Sequence, residues 1–180
     1  MTAITRLLLA ASHGDPLAAA DLFPVVYTEL RRLAAAKLAR EAVGHSLEPT
    51  MLVHEAFLRL VGDQKFDGKG HFFAAAAEAM RRILVDQARA RRATKRGGAT
   101  KREPVGSAQV TAASPDDELL ALDECLGKLA EKYPDHAELV KLRYFAGLTA
   151  DEAAAALGIS ASTGDRRWTF ARAWLKRAMD

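Results

Sequence analysis

Residues 149 to 179 read TADEAAAALGISASTGDRRWTFARAWLKRAM, a pattern that restricts this part of the chain to a helix, a tight turn and a longer helix. Thr149 with Glu152 three residues on forms a capping box: the hydroxyl takes a free backbone N–H and the carboxylate reaches back to the cap. The first helix therefore starts at about Ala150. Ala153, Ala154 and Leu157 supply a small apolar face, and Gly158 can take the left-handed conformation that ends a helix. Ser160 is placed to cap the next helix. There, Gly164, Trp168, Ala171 and Leu175 follow the i, i+4, i+7, i+11 spacing of one buried face, while Ser162, Thr163, Asp165, Arg166 and Arg167 lie opposite. Small residues permit a close helix crossing, and a polar front end suits a helix that reads the DNA major groove. On the pattern alone, an ordinary helical hairpin with a solvated face is the alternative.

Charge distribution favours the polyanion reading. The net charge of the 180 residues is only +3, but residues 81 to 102 hold 9 Lys/Arg against 1 Asp/Glu. Residues 166 to 180 hold 5 basic residues against Asp180, whereas residues 103 to 165 hold 4 against 12 acidic ones. Positive charge is concentrated in the segment from Arg81 to Arg102 and in the reading helix, as expected if both meet one nucleic acid.

The rest of the chain also reads as helical. Ile4 to Ser12 forms a short helix, and Asp15-Pro16 opens a long one that carries Leu22, Val25, Val26, Leu30, Leu33 and Leu38, with Pro24 bending it or delaying its start. Thr50 can cap a third helix, TMLVHEAFLRLVG, whose apolar residues leave only Glu55, Arg59 and Gly62 as a narrow polar strip. That edge reads as a docking surface or, equally, as a solvated ion pair. A glycine-rich charged loop with Phe66 precedes a basic helix over about Phe72 to Arg96, with Phe73, Ala77, Met80, Leu84 and Ala88 on its apolar side. Arginines on phosphates and rings on unstacked bases would suit single-stranded nucleic acid. Residues 97–113 form a linker without periodicity. Ser114-Pro115-Asp116-Asp117 then restarts a helix with cap, first-turn proline and two carboxylates at its positive end, and Pro134 opens another. The fold class is all-α: two small helical domains, residues 1–96 and 114–180, joined by a flexible linker, the second ending in the helix-turn-helix.

Other chemistries lack support. His54-Glu55 begins like a zinc-protease signature, but position 58 is Leu. The histidines show no ligand spacing, and neither a Walker loop nor a nucleophile elbow occurs. No catalytic residue, cofactor or metal is expected. The single Cys125 fits a small apolar position on a helix in a reducing cytoplasm. The opening apolar run is too short for membrane insertion.

The chain resembles the extracytoplasmic-function (ECF) sigma factors of bacterial RNA polymerase. The matching stretches are FPVVYTELRRLAAAKL, SLEPTMLVHEAFLRLVG, GHFFAAAAEAMRRILVDQARARRATKRGG, and YFAGLTADEAAAALGIS with RRWTFARAWL, in the family's order. The resemblance implies that residues 1–96 bind core polymerase and open the minus-10 element. Glu55, Phe57, Leu58 and Arg59 would dock on the clamp helices of the largest polymerase subunit. Lys65, Phe66, Lys69, His71 and Phe72, with Arg81, Arg82, Arg89, Arg91 and Arg92, would melt and hold the minus-10 DNA. Ser162, Thr163, Asp165, Arg166 and Arg167 would meet the minus-35 element of promoter DNA, and an anti-sigma protein is a further candidate partner. The function implied is promoter-directed transcription initiation; a conventional helix-turn-helix regulator is the alternative, although its sensor half would not require the basic segment.

Two positions depart from the family pattern. Gly164 stands where an aliphatic residue is usual, and Asp165 where lysine is common. Glycine in a helix costs roughly 1 kcal/mol relative to alanine, so Gly164→Val is expected to stabilise the second domain. Asp165→Lys is expected to strengthen DNA binding in a salt-dependent way.

Overall fold

A computed structural model describes residues 6–7, 10, 13, 16–38, 49–60, 66, 68–97 and 113–180. Among them the regular elements are all helical. They are α1 (Pro16–Leu38), α2 (Pro49–Leu60), α3 (Lys69–Gly97), α4 (Pro115–Lys132), α5 (Pro134–Val140), α6 (Ala150–Ala156) and α7 (Ala161–Met179). A π-helical turn, Lys141–Phe145, prolongs α5. The expected helix from Ile4 to Ser12 and the linker fall largely outside the described residues.

The helix ends follow the local chemistry closely. Ser114 accepts the Asp117 N–H, and Pro115 occupies the first turn of α4. The capping box of α6 is complete: Glu152 accepts the Thr149 N–H at 2.8 Å and Thr149 accepts the Glu152 N–H at 3.3 Å. Gly158 turns the chain with φ 65°, and Ser160 accepts the Thr163 N–H to start α7. Three details differ from the sequence reading. Pro24 lies within α1, where it donates no backbone hydrogen bond, and the Thr28 hydroxyl donates to the Pro24 carbonyl four residues back. Helix α2 opens at Pro49, so Thr50 is inside it and Pro49 takes the first-turn position. Helix α3 begins at Lys69, because the Phe72 N–H bonds back to the Gly68 carbonyl.

Two groups of side chains make up the interior, and α3 joins them. Leu30, Leu33, Leu52, Val53 and Ala56 of α1 and α2 pack with Phe72, Met80 and Ile83 of α3. Leu126, Leu129, Leu139, Leu142, Phe145, Ala171 and Leu175 fill the C-terminal half. Helix α3 touches α2 on one side and α4, the π-helical turn and α6 on the other, so the buried residues form one continuous cluster. Its buried positions accordingly extend to Phe72, Ala76, Ala79, Ile83 and Val85, beyond the single stripe a one-sided helix would need. Cys125 is buried, with its thiol 3.5 Å from the Ala178 carbonyl.

Gly164 is buried on the inner face of α7, as its spacing requires. The reason for glycine is close approach: a Cβ there would stand 3.3 Å from the Ala154 Cβ of α6 and 4.0 Å from Ile159. Valine would add two further methyls to a crossing that barely admits one. The sign of Gly164→Val thus turns on whether Ala154 can give by a few tenths of an ångström, which sets overpacking against the expected stabilisation.

Candidate nucleic-acid interface

The basic side of α3 is organised around Glu78. Arg81 donates to it at 3.0 and 2.9 Å, Arg82 at 2.8 Å, and Lys141 lies 3.5 Å away. Burial pushes the Glu78 carboxyl up, but donation from Arg81 and Arg82 outweighs burial and brings it down to about 2. Glu78 likewise raises the Arg81 guanidinium above its ordinary value.

Beyond Glu78, the arginines of α3 face carboxylates of α4. Arg81 also donates to Asp123. Arg91 grips Asp116 in a fork, with Nε at 3.0 Å and Nη2 at 2.7 Å from one oxygen, and Lys95 is 3.9 Å from the other. Arg92 lies 3.4 Å from Asp117, and Arg89 lies 3.9 Å from Asp123. Asp116 is only 5% exposed, so its charge depends on these partners. Of the α3 arginines expected to hold phosphates, Arg82 and Arg89 are the most open, each 64% exposed.

The aromatic residues of the minus-10 reading are covered in this structure. Phe66 and Phe72 are 8% and 1% exposed and pack edge-to-face with ring centres 5.7 Å apart. Both rings belong to the buried cluster beside the start of α3. His71 is exposed, with its ring centre 5.6 Å from that of Phe66, and Lys69 lies 5.2 Å from the Phe73 ring centre. Lys65 falls outside the described residues.

On α2, Glu55 accepts from Arg59 at 3.3 Å, and Arg59 is also 3.7 Å from Asp86 of α3. Beside this strip Leu58 and Met51 are 63% and 62% exposed. The outer edge of α2 is thus apolar as well as charged. Phe57 lies in α2, but its side chain falls outside the described residues.

The first turns of α7 are open to solvent at Ser162, Asp165 and Arg166. Thr163 is tied to Ser160, with hydroxyls 3.0 Å apart, and receives Arg166 at 3.4 Å. Arg167 turns away to Asp135 at 2.9 Å. Trp168 is held from behind by the Arg143 guanidinium, 4.0 Å from its ring centre.

Sequence reasoning treated Asp116 and Asp117 as helix-capping charges and passed over Asp123. The available signal was the acidic excess of residues 103–165, opposite in sign to the basic segment. It also passed over an exposed aromatic group, Tyr133 and His136 with Phe170 of α7, whose ring centres lie 4.9 to 5.6 Å apart. Burial, then the nearby Arg167, push His136 below its ordinary value. No local signal links residues so distant along the chain.

Comparison with known proteins adds one finding. The family model for ECF sigma factors matches residues 1–180. No curated protein and no solved structure matches the chain.

Proposed function

The chain belongs to the ECF sigma factor family, and from that membership we propose that it directs core RNA polymerase to specific promoters and assists their opening. The observation that carries this reading is a family match running over residues 1–180, through the basic helix α3 as well as α6 and α7. Proteins of this family are DNA-binding factors of transcription initiation rather than enzymes. The conventional regulator is therefore the less favoured reading.

In this reading residues 1–96 act as the polymerase-binding and minus-10 domain and residues 114–180 as the minus-35 domain, with residues 97–113 between them. The edge of α2 supports docking on the clamp helices, because Leu58 and Met51 are large apolar groups left in water beside Glu55 and Arg59. Binding to polymerase would cover them. Lys69, His71, Arg82, Arg89 and Arg92 would meet minus-10 DNA, while Ser162, Asp165 and Arg166 would meet minus-35 bases and phosphates. The cytoplasm, where polymerase works, is the corresponding location. Among the described residues no helix is long and apolar enough to cross a membrane. An anti-sigma protein covering the same surfaces is a further proposed partner.

In vitro transcription on a genomic promoter library, with purified core polymerase, tests this function. The protein should direct initiation from a shared two-part motif, and Leu58→Arg or Glu55→Ala/Arg59→Ala should lose it. Retention of duplex DNA without any binding to core would instead establish the conventional regulator.

A further inference from the structure

We propose that Asp165 reads one cytosine of the minus-35 element, its carboxylate accepting a hydrogen bond from the cytosine N4 amino group in the major groove. The proposal rests on reading α7 as the minus-35 helix and adds the base that this chain selects there. The front of α7 exposes Ser162, Asp165, Arg166 and Thr169, which follow the i, i+3, i+4, i+7 spacing of one helix face. Two of these side chains are engaged within the helix: the Thr169 hydroxyl donates to the Asp165 carbonyl at 2.9 Å, and Arg166 reaches Thr163 at 3.4 Å. Arg167, the other cation that could neutralise Asp165, is drawn off this face to Asp135 at 2.9 Å. Among the described residues the Asp165 carboxylate has neither a hydrogen bond nor an ion pair.

An unpaired carboxylate on a face that meets a polyanion is repelled by every phosphate it nears. It suits binding only where the DNA offers it a donor. In the major groove guanine shows N7 and O6 and thymine shows O4, all of them acceptors that a carboxylate avoids. Adenine shows its N6 amino group beside the N7 acceptor, whereas cytosine shows its N4 amino group with no acceptor of its own on that edge. Cytosine is thus the base that Asp165 fits. The backing of α7 fixes the aim. Gly164, Ala171 and Leu175 are buried, and the Arg143 guanidinium stands 4.0 Å from the Trp168 ring centre, so the helix cannot roll about its axis without undoing that packing. A Cβ at Gly164 would stand 3.3 Å from the Ala154 Cβ, which sets how closely α7 lies on α6. A short side chain on a helix held in this way reaches one base position rather than several.

The test uses holoenzyme assembled from purified core polymerase and the full chain. Its template is a promoter recovered from the genomic library and randomised across the minus-35 element, with the enrichment of each base read from the transcripts. The wild-type protein should enrich cytosine at one position about tenfold over the other bases, the size of one good base contact. Asp165→Asn should move that position, and no other, to adenine, whose N6 and N7 match an amide. Asp165→Lys should move it to guanine, whose N7 and O6 accept from an ammonium. Glu131→Gln, which removes one negative charge at an exposed site near the end of α4, should leave the cytosine in place. Urea midpoints equal to that of the wild type verify that the variants fold, and either Asp165 variant alone suffices to decide. An element with enriched bases but no cytosine overturns the proposal, as does a cytosine that both variants retain. Variants that change transcription equally on all library members reduce Asp165 to a general charge effect and overturn it too. Failure of the minus-35 reading itself is recognised separately, as initiation by the wild-type protein with no enriched base anywhere in the randomised element.

Discussion

Helices α3 and α7 are both arginine-bearing helices in one small chain, yet they hold their charge differently. On α3, Arg81, Arg91 and Arg92 are engaged by carboxylates from another helix, and Asp116 and Asp123 give up most of their water to meet them. On α7, Ser162, Asp165 and Arg166 stand in solvent, while the helix is anchored from behind by Gly164, Ala171 and Leu175. Arg81, Arg91 and Arg92 of α3 are therefore part of what holds the two halves together, whereas Arg166 at the front of α7 bonds to Thr163 of its own helix. Substitutions of the same chemical type should consequently act on stability in one helix and on DNA binding in the other.

The largest effect should come from removing the Arg91 fork. Arg91→Ala leaves Asp116 buried without its principal counter-charge, and breaking such a pair costs about 3 kcal/mol. Arg166→Ala should change stability by less than about 0.5 kcal/mol, as for an ordinary surface site. Urea denaturation of the two variants measures the contrast directly; equal midpoints would place Arg91 in the same class as Arg166.

The next effect tests the packing behind α7. Gly164→Val must fit γ-methyls beyond a Cβ already 3.3 Å from that of Ala154. Overpacking should lower stability by about 2 kcal/mol, more than the helix-propensity gain restores. A raised Tm would show that α6 and α7 can separate at no cost and that the anchoring of α7 is looser than its burial implies.

Acid should separate the regions with a smaller effect. Glu78, held at about 2 against an ordinary 4.5, contributes stability that is present above its unfolded value and is lost as pH falls through the folded one. The contribution is about 1 kcal/mol after allowance for solvent screening. Urea midpoints should thus fall as the pH is lowered from about 5 towards 2. Glu78→Gln should flatten that part of the decline; an unaltered pH profile would remove Glu78 from the organisation of the α3 arginines.

These contrasts also show where the sequence could be read. Caps and punctuation are local, so Thr149, Gly158 and Ser160 defined α6, the turn and α7 before any packing was known. The inward face of Gly164 was legible from its spacing, but the sign of substituting it was not, because the distance between α6 and α7 is a tertiary quantity. Phe66 and Phe72 illustrate the same limit. An aromatic residue in a charged loop fits base stacking or a core edge equally well, and only the position of α3 decides it. The acidic excess of residues 103–165 was visible as a number, yet which carboxylate meets which arginine depends on how α4 lies against α3. The outer edge of α2 was legible as polar, while the exposure of Leu58 was hidden in what read as a continuous apolar surface.

The smallest expected change in folding, and the sharpest use of the comparison, is at Asp165. Its side chain is exposed on the front of α7, and neighbouring Arg166 and Arg167 are directed to Thr163 and Asp135. Asp165→Lys should leave stability within about 0.5 kcal/mol. On duplex DNA it replaces a repulsive charge with one that can release a counterion, so affinity should rise most at low salt and the salt slope should steepen by about one phosphate contact. The same exchange of charge at Asp116 would remove the Arg91 partner and be read first as unfolding. If Asp165→Lys leaves affinity unchanged across a salt series, the front of α7 lies away from the phosphates, and its openness reflects something other than readiness for DNA.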